Sequence, residues 1–262
     1  SFITVIDIPL MNREEVKAAI PFEAKRYVPI PAAEVAMDWE IIEEDEASKR
    51  TKVLLVVVPN EVINKYKRIA ELAKLDIKAI EIESFALVRS LVGRDRGVVG
   101  IVNLGAQSTT VTVADNRIIR LHSNIGRGSR EISIILARSL SIEEERAEAV
   151  KKEVGLSTKP EEKEIADIIT PIIDTLFGEV ERALAVYNRA NIRKVERIIL
   201  SGGGASMAGL IDYVSKKIGL ETTLANPFAL TVYPAFMQPV LKDLGPGCGV
   251  AVGLALRQIT SR

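Results

Sequence analysis

Residues 98–110 read VVGIVNLGAQSTT, and residues 197–206 read RIILSGGGAS. Each is a short apolar run that stops at glycine. In the first, Val98 to Leu104 is expected to form a buried strand, Gly105 a tight turn, and Ser108 to Ala114 a second strand. Asp115-Asn116 is a turn signal into a third strand, Arg117 to Leu121. In the second, the strand Arg197 to Ser201 runs into Gly202-Gly203-Gly204, which is expected to open a helix. Glycine lets a backbone approach a ligand closely. The amides and hydroxyls of residues 105–110 form a pattern that grips phosphate oxygens, and a helix N-terminus after residues 202–204 favours polar or anionic atoms. The same residues also serve hairpins and strand-to-helix turns for structural reasons alone.

Between the two loops lies a helical block, with helices expected over about 127–139, 142–153 and 162–190. Pro171 and Gly178 are expected to bend the last of these. After the second loop, Met207, Leu210, Ile211, Val214 and Ile218 share one helix face. Residues 226–247 are rich in Pro and Gly and read as loops. Val250 to Ile259 reads as a buried last helix.

The first third has a different rhythm. Phe2 to Ile8 is strand-like. Asn12 and Glu15 match a capping box before a helix with Val16, Ile20 and Tyr27 on one face, which Pro21 should kink or shorten. Val35, Met37, Trp39 and Ile41 alternate as a strand with one wet face, ended by an acidic turn at residues 43–46. Val53 to Val58 is a buried strand stopped by Pro59. Asn60 caps a helix with Val62, Tyr66, Ile69 and Ala73 on its apolar face, and Ile77 to Ile82 returns as a strand. Residues 1–83 thus read as β-α-β-β-α-β, with helices on one side of a sheet.

Composition bounds the function. The 262 residues carry 35 basic and 35 acidic side chains and are 47% hydrophobic. That composition suits a folded core, and zero net charge argues against a nucleic-acid binder while leaving room for a local basic patch. The single cysteine, Cys248, permits no internal disulfide, which fits a reducing compartment, and reads as a core residue. His122 is the only histidine and reads as a strand residue, so multi-histidine metal sites and histidine triads need residues this chain lacks. No uninterrupted apolar run of membrane-spanning length and no signal peptide stand out.

The two glycine loops, in this order around a helical block, resemble the second phosphate loop and the adenosine loop of the actin–hexokinase superfamily. Over nearly the whole chain the resemblance is to the PilM family. It rests on the order and spacing of Glu23-Ala24-Lys25-Arg26-Tyr27-Val28-Pro29-Ile30-Pro31, Val57-Val58-Pro59, Glu83-Ser84-Phe85-Ala86-Leu87, Asn226-Pro227-Phe228 and Gly253-Leu254-Ala255-Leu256-Arg257. The resemblance implies an actin-like, ribonuclease H-like α/β core over residues 84–262, with residues 1–83 as the extra subdomain shared with the division protein FtsA. It also implies nucleotide contacts from Asn103, Gly105, Gln107, Ser108 and Thr109 in the phosphate loop and from Gly202, Gly203 and Gly204 in the adenosine loop. Glu179 and Arg182 would flank the ribose, although their spacing equally suits a solvated ion pair.

Two departures qualify the implied ATP and Mg²⁺ site. Asn103 stands where the family commonly has aspartate, and a neutral amide attracts a hard cation less than a carboxylate does. The family's first strand–turn–strand phosphate loop has no counterpart before Ser1, so the chain is expected to lack one wall of the cleft. ATP binding is therefore expected to be weak and turnover negligible. The resemblance implies a cytoplasmic scaffold at the inner membrane that docks the tail of PilN and so meets other pilus platform proteins, without inserting into the membrane. The tail is expected beside residues 1–83. An FtsA-like polymerising protein and a small-molecule kinase of the same superfamily are the alternatives. The first would need an amphipathic C-terminal helix stronger than residues 255–262 offer, and the second a catalytic aspartate and a complete first phosphate loop.

Overall fold

The computed structural model describes residues 2–27 and 31–260. Val28, Pro29 and Ile30 of the proline motif lie outside the described residues, as do Ser1, Ser261 and Arg262. The chain divides into two compact units, Ser1–Ile82 and Glu83–Arg262.

In the first unit, β1 (Phe2–Pro9), β2 (Val35–Asp45) and β3 (Arg50–Pro59) form an antiparallel sheet in the order β1-β3-β2. Helix α1 (Arg13–Ala24) opens with the expected capping box. The Asn12 side chain accepts from the amides of Glu14 and Glu15 at 3.0 Å, and Glu15 accepts from the Asn12 amide at 2.8 Å. Val16, Ile20 and Ala24 of α1 pack with Ile6, Ile8, Val53, Leu55 and Val57 of the sheet. This burial carries the helix through Pro21 to its end, whereas Tyr27 is exposed. Residues 43–45 are not a loop as expected. They continue β2 opposite Arg50–Lys52, where Glu43 pairs with Lys52 at 2.8 Å, because opposite charges across a ladder support pairing.

Two further expectations fail here. The apolar face of α2 (Asn60–Leu72) is exposed at Val62, Tyr66 and Ile69, and only Ala70 is buried. Periodicity reveals a face but not what covers it. Residues 77–82 form no strand. Residues 71–80 are exposed throughout, and a strand needs an edge with which to exchange hydrogen bonds.

The second unit holds a five-stranded sheet in the order β6-β5-β4-β7-β8. It comprises β4 (Val98–Leu104), β5 (Thr109–Asp115), β6 (Ile118–Ile125), β7 (Arg197–Ser201) and β8 (Glu221–Leu224). The β4-β5-β6 half is antiparallel; β4, β7 and β8 are parallel. The helical block forms α4 (Ser129–Leu140), α5 (Glu144–Glu153) and α6 (Lys163–Ala190), and α7 (Leu210–Ile218) follows β7. Ile132, Leu136, Ile169, Ile173, Phe177, Val180 and Leu184 from these helices cover one face, against Val102, Leu104, Val111 and Val113 of the strands. Gly100 makes room for this layer, since a Cβ there would lie 2.8 Å from Ile198 Cδ1 and 3.4 Å from Leu184.

Helices α3 (Glu83–Leu91) and α8 (Gln238–Thr260) pack closely together and cover the other face. Residues 238–247 belong to α8 despite Pro239, Pro246 and two glycines, which corrects their reading as loop. Two glycines further along α8 bring it against α3. A Cβ on Gly253 would lie 2.0 Å from the Ala86 carbonyl oxygen, and one on Gly249 would lie 2.8 Å from Leu87 Cδ2. Arg89 donates to the Gly253 carbonyl and Ser90 to the Gly249 carbonyl, both at 2.8 Å. The far side of α8 is open: Val240, Leu244 and Leu254 are exposed and Cys248 is only partly buried, so neither this helix nor its cysteine is the core element expected. Ala235–Arg257 is also long and apolar enough to cross a bilayer by length and composition. Lys242 and Asp243 interrupt this segment, so the expectation of no uninterrupted apolar run of that length stands beside it.

Beneath α3, His122 of β6 lies partly buried. Its Nδ1 stands 3.0 Å from Ser84 Oγ and 3.3 Å from Thr112 Oγ1, with both hydroxyl residues buried. Burial lowers the imidazole pKa below its ordinary 6.5.

Two predictions follow from this packing. Gly253→Ala must push α8 off α3 and is expected to destabilise the unit by about 1–3 kcal/mol in urea unfolding; an unchanged midpoint would show that the contact yields freely. Because the unfolded chain takes up the His122 proton more readily than the folded one, the contribution of His122 is full above about pH 6.5 and declines as pH falls toward the folded pKa. His122→Gln is expected to remove that part of the acid sensitivity. If unfolding midpoints of the two proteins ran parallel from about pH 7 to about pH 5, His122 would not be the group responsible.

Candidate functional site

The parallel register of β4 and β7 ends at Asn103 opposite Ser201. Both glycine loops therefore leave the same edge of the sheet side by side. From there the chain turns one way, to β5, and the other way, toward β8. In α/β sheets the crevice at such a point, outside the carboxyl ends of the strands, is where ligands bind.

The two loops touch. Gly202 has φ +86°, and a Cβ on it would lie 2.5 Å from the Leu104 carbonyl oxygen and 2.8 Å from Asn103 Oδ1. A Cβ on Gly204 would lie 2.6 Å from Leu104 Cγ and 2.5 Å from Ser129 Cβ. Only glycine lets β4, β7 and the start of α4 meet there. At Gly203, by contrast, a Cβ would meet nothing within 4 Å, and the residue is exposed. The backbone is thus closed against protein at 202 and 204 and open outward at 203. The three glycines lead into a short 3-10 turn over Gly203–Ser206, not directly into an α-helix; α7 begins only at Leu210, after Gly209 takes φ +75°.

Residues 105–108 form a cradle. The Gly105 amide donates to the carbonyls of Asn103 and Ser108 at 3.2 and 3.1 Å, closing the turn. The Ser129 amide donates to the Gly105 carbonyl at 2.8 Å, and the Arg130 amide to the Ala106 carbonyl at 3.0 Å. A Cβ on Gly128 would lie 2.4 Å from that same Ala106 carbonyl oxygen. The first turn of α4 therefore clamps the loop and is not itself free for an anion. The amides of Ala106, Gln107 and Ser108 meet no protein acceptor among the described residues. Gln107 is exposed, and Ser108 and Asn103 are partly buried. The Thr109 hydroxyl donates to the Arg127 carbonyl at 2.8 Å, so this side chain braces the loop.

Two supports lie behind the cradle. Lys151, 1% exposed, extends its ammonium to the Ser129 carbonyl (3.1 Å), Ser133 Oγ (3.0 Å) and Glu148 (2.5 Å). All three ammonium protons are placed. Burial lowers its pKa, against the opposing pull of Glu148. Nothing in the charge pattern of 143–153 singles out this lysine; only the fold turns it inward. On the other side, the Pro246 carbonyl of α8 accepts from the Gly202 amide at 2.6 Å and from Ser201 Oγ at 3.1 Å.

Glu179 and Arg182 stand apart from this construction. Both lie on α6, which packs on β5, β6 and α4. Arg182 Nε turns back to the Gly178 carbonyl at 3.1 Å, and among the described residues the two make no ion pair with each other. No hydrogen bond ties either to the glycine loops.

The donor set suits a phosphate better than a tightly held metal. Among the described residues the amides of 106–108 have no protein acceptor, Ser108 offers a hydroxyl beside them, and Asn103 is neutral. Among the described residues, no group of three or more His, Cys, Asp or Glu side chains could hold a metal ion.

Comparison with known proteins agrees with this architecture. Residues 4–259 match a family model described as type IV pilus assembly protein PilM. A solved PilM–PilN type IV pilus biogenesis complex contains a chain of similar fold, with TM-score 0.83 and 24% identity, covering 98% of this chain and 76% of that one. MreB5 of Spiroplasma citri bound to ADP is similar at TM-score 0.59 and 16% identity, over 78% of this chain and 67% of that one. The cell division protein FtsA of Enterococcus hirae is 23% identical over 202 residues, 66% of this chain but 44% of FtsA. The chain thus spans less than half the length of that curated relative. The fold shared with these structures is actin-like.

Proposed function

The chain belongs to the PilM family of type IV pilus assembly proteins, and on that premise we propose that it is an actin-like scaffold of the pilus assembly platform. It acts at the cytoplasmic face of the inner membrane and is held there by a PilN-like partner whose short cytoplasmic tail it binds. The family match over residues 4–259 carries this reading. It is supported by the likeness in fold to the chain of a PilM–PilN complex.

In the same reading the loops at the ends of β4 and β7 bind a nucleotide. The backbone of Gly105, Gln107 and Ser108 holds phosphate oxygens, and Gly202, Gly203 and Gly204 let the adenosine side approach the backbone. Glu179 and Arg182 flank the ribose, and Asn103 lines the phosphate end without a charge to fix Mg²⁺. ATP, when bound, supplies a polyanion that the unpartnered amides stabilise. Asn103 offers a hard cation no carboxylate, which disfavours turnover. In this reading the nucleotide serves as a conformational ligand. The likeness to FtsA supports a second reading, a polymerising division protein; nucleotide-dependent pelleting of this chain would favour it over the scaffold.

Two measurements test the proposal. A synthetic peptide of the PilN cytoplasmic tail is expected to bind in calorimetry, while a scrambled peptide of equal charge does not; equal binding of the two would remove the docking function. MgATP is expected to bind weakly and to lose at least tenfold in affinity in Ser108→Asp, which sets a carboxylate in the phosphate cradle. An unchanged affinity with an unchanged melting temperature would place the nucleotide elsewhere.

A further inference from the structure

The glycine loops occupy the carboxyl end of β4. Its other end, about 20 Å away for a seven-residue strand, carries a second cleft that a nucleotide at the loops would not reach. The loop Gly93–Gly97 enters β4 there, and the β5–β6 hairpin turns beside it. Arg94, Arg96, Asn116 and Arg117 line an open cleft of about 500 Å³ between them.

The carboxylates at this end are already engaged. Arg197 binds Asp95 through Nη2 at 2.7 Å, and the Gly97 amide donates to the same carboxylate at 2.7 Å. These contacts, the Gly97 amide foremost, hold the Asp95 carboxyl below the usual range. Arg193 pairs with Asp115 and lies 3.4 Å from Glu196, and it donates to the Arg96 carbonyl at 3.0 Å. Arg193 thereby staples the 93–97 loop to the hairpin. Among the described residues, no carboxylate pairs with Arg94, Arg96 or Arg117, and all three are exposed. In a chain of zero net charge, three arginines that line one cleft and, among the described residues, pair with no carboxylate leave an excess of positive charge there, which marks an anion site.

The backbone adds an independent sign. Asn116 and Arg117 have φ +51° and +69°, as a type I′ turn requires, and the second of these positions strongly favours glycine. Arginine there holds a left-handed conformation that glycine would adopt without strain. The hairpin tolerates that strain and presents a guanidinium to the cleft.

We infer that this cleft binds a phosphate-bearing anion, with Arg94, Arg96 and Arg117 as its ligands and the Asn116 amide beside them. A planar guanidinium offers paired N–H groups that match two phosphate oxygens, and charge-assisted bonds of this kind are the strong ones. The anion is either a soluble phosphate ester or the headgroup of an anionic phospholipid, because the recognised chemistry is the same. The inference stands independently of the nucleotide and partner assignments, since its residues belong to neither.

Calorimetry with inorganic pyrophosphate at low ionic strength tests it. The wild-type chain is expected to bind, with about a tenfold loss for each arginine removed. Arg117→Gly is the informative single variant: its melting temperature is expected to stay level or rise while pyrophosphate affinity falls, a combination that a structural role for Arg117 cannot produce. The triple variant R94Q/R96Q/R117G is expected to lose binding. Co-sedimentation with phosphatidylcholine vesicles containing phosphatidylglycerol, abolished in the triple variant, assigns the lipid source. Pyrophosphate binding without co-sedimentation assigns a soluble ester. If the wild type bound neither, or the triple variant bound as the wild type does, the site would be overturned.

Discussion

The parallel pairing of β4 with β7 is the constraint on which the rest of the second unit depends. It brings together two strand ends, Asn103 and Ser201, separated by about a hundred residues. The pairing could not finish at Asn103 and Ser201 without the close contact that follows, where the Gly202 backbone lies against Leu104. Any side chain at 202 would have to occupy the Leu104 carbonyl, so the two loops would part and the crevice between them would open. The site is thus not an ornament on the sheet. It is the place where the sheet's central pairing ends, and its shape follows from how closely the two backbones approach.

The same junction is held from both faces. On one, the first turn of α4 donates its amides to the Gly105 and Ala106 carbonyls, and buried Lys151 fixes the Ser129 carbonyl behind them. On the other, Pro246 of α8 accepts from Gly202 and Ser201, while Gly249 and Gly253 bring α8 against α3. A ligand bound at residues 105–108 would therefore press on two helical layers through hydrogen bonds, with few soft contacts between. Side-chain charge is sparse at the loops themselves, which fits binding through the backbone.

Charge is distributed unevenly along β4. The carboxyl end is built of neutral backbone and small polar groups. The amino end collects arginines, two of which engage the local acids and three of which do not. Zero net charge over the chain conceals this polarity, because electrostatic recognition acts over roughly a Debye length of about 8 Å and not over the molecule as a whole.

Much of this was legible in the residues alone. Apolar runs with glycine at their ends identified β4, β5 and β7; the Asn12–Glu15 spacing identified the start of α1; and the order of the glycine loops around a helical block pointed to the actin-like core. These signals are local, set by side-chain period and backbone freedom within a few residues. The readings that failed depended on partners distant in sequence. Residues 77–82 had the pattern of a strand but no edge to pair with, and the apolar stripe of α2 found no cover. Residues 238–247 had the composition of a loop, yet form the first half of a helix whose Gly249 and Gly253 fit against Leu87 and Ala86. The inward turn of Lys151, the diversion of the Thr109 hydroxyl to Arg127, and the unpaired state of Arg94, Arg96 and Arg117 likewise came only from the tertiary structure. Sequence determines which conformations each segment can adopt and which groups it offers. Which of those groups are covered, paired or left open is decided by segments that meet only when the sheet closes.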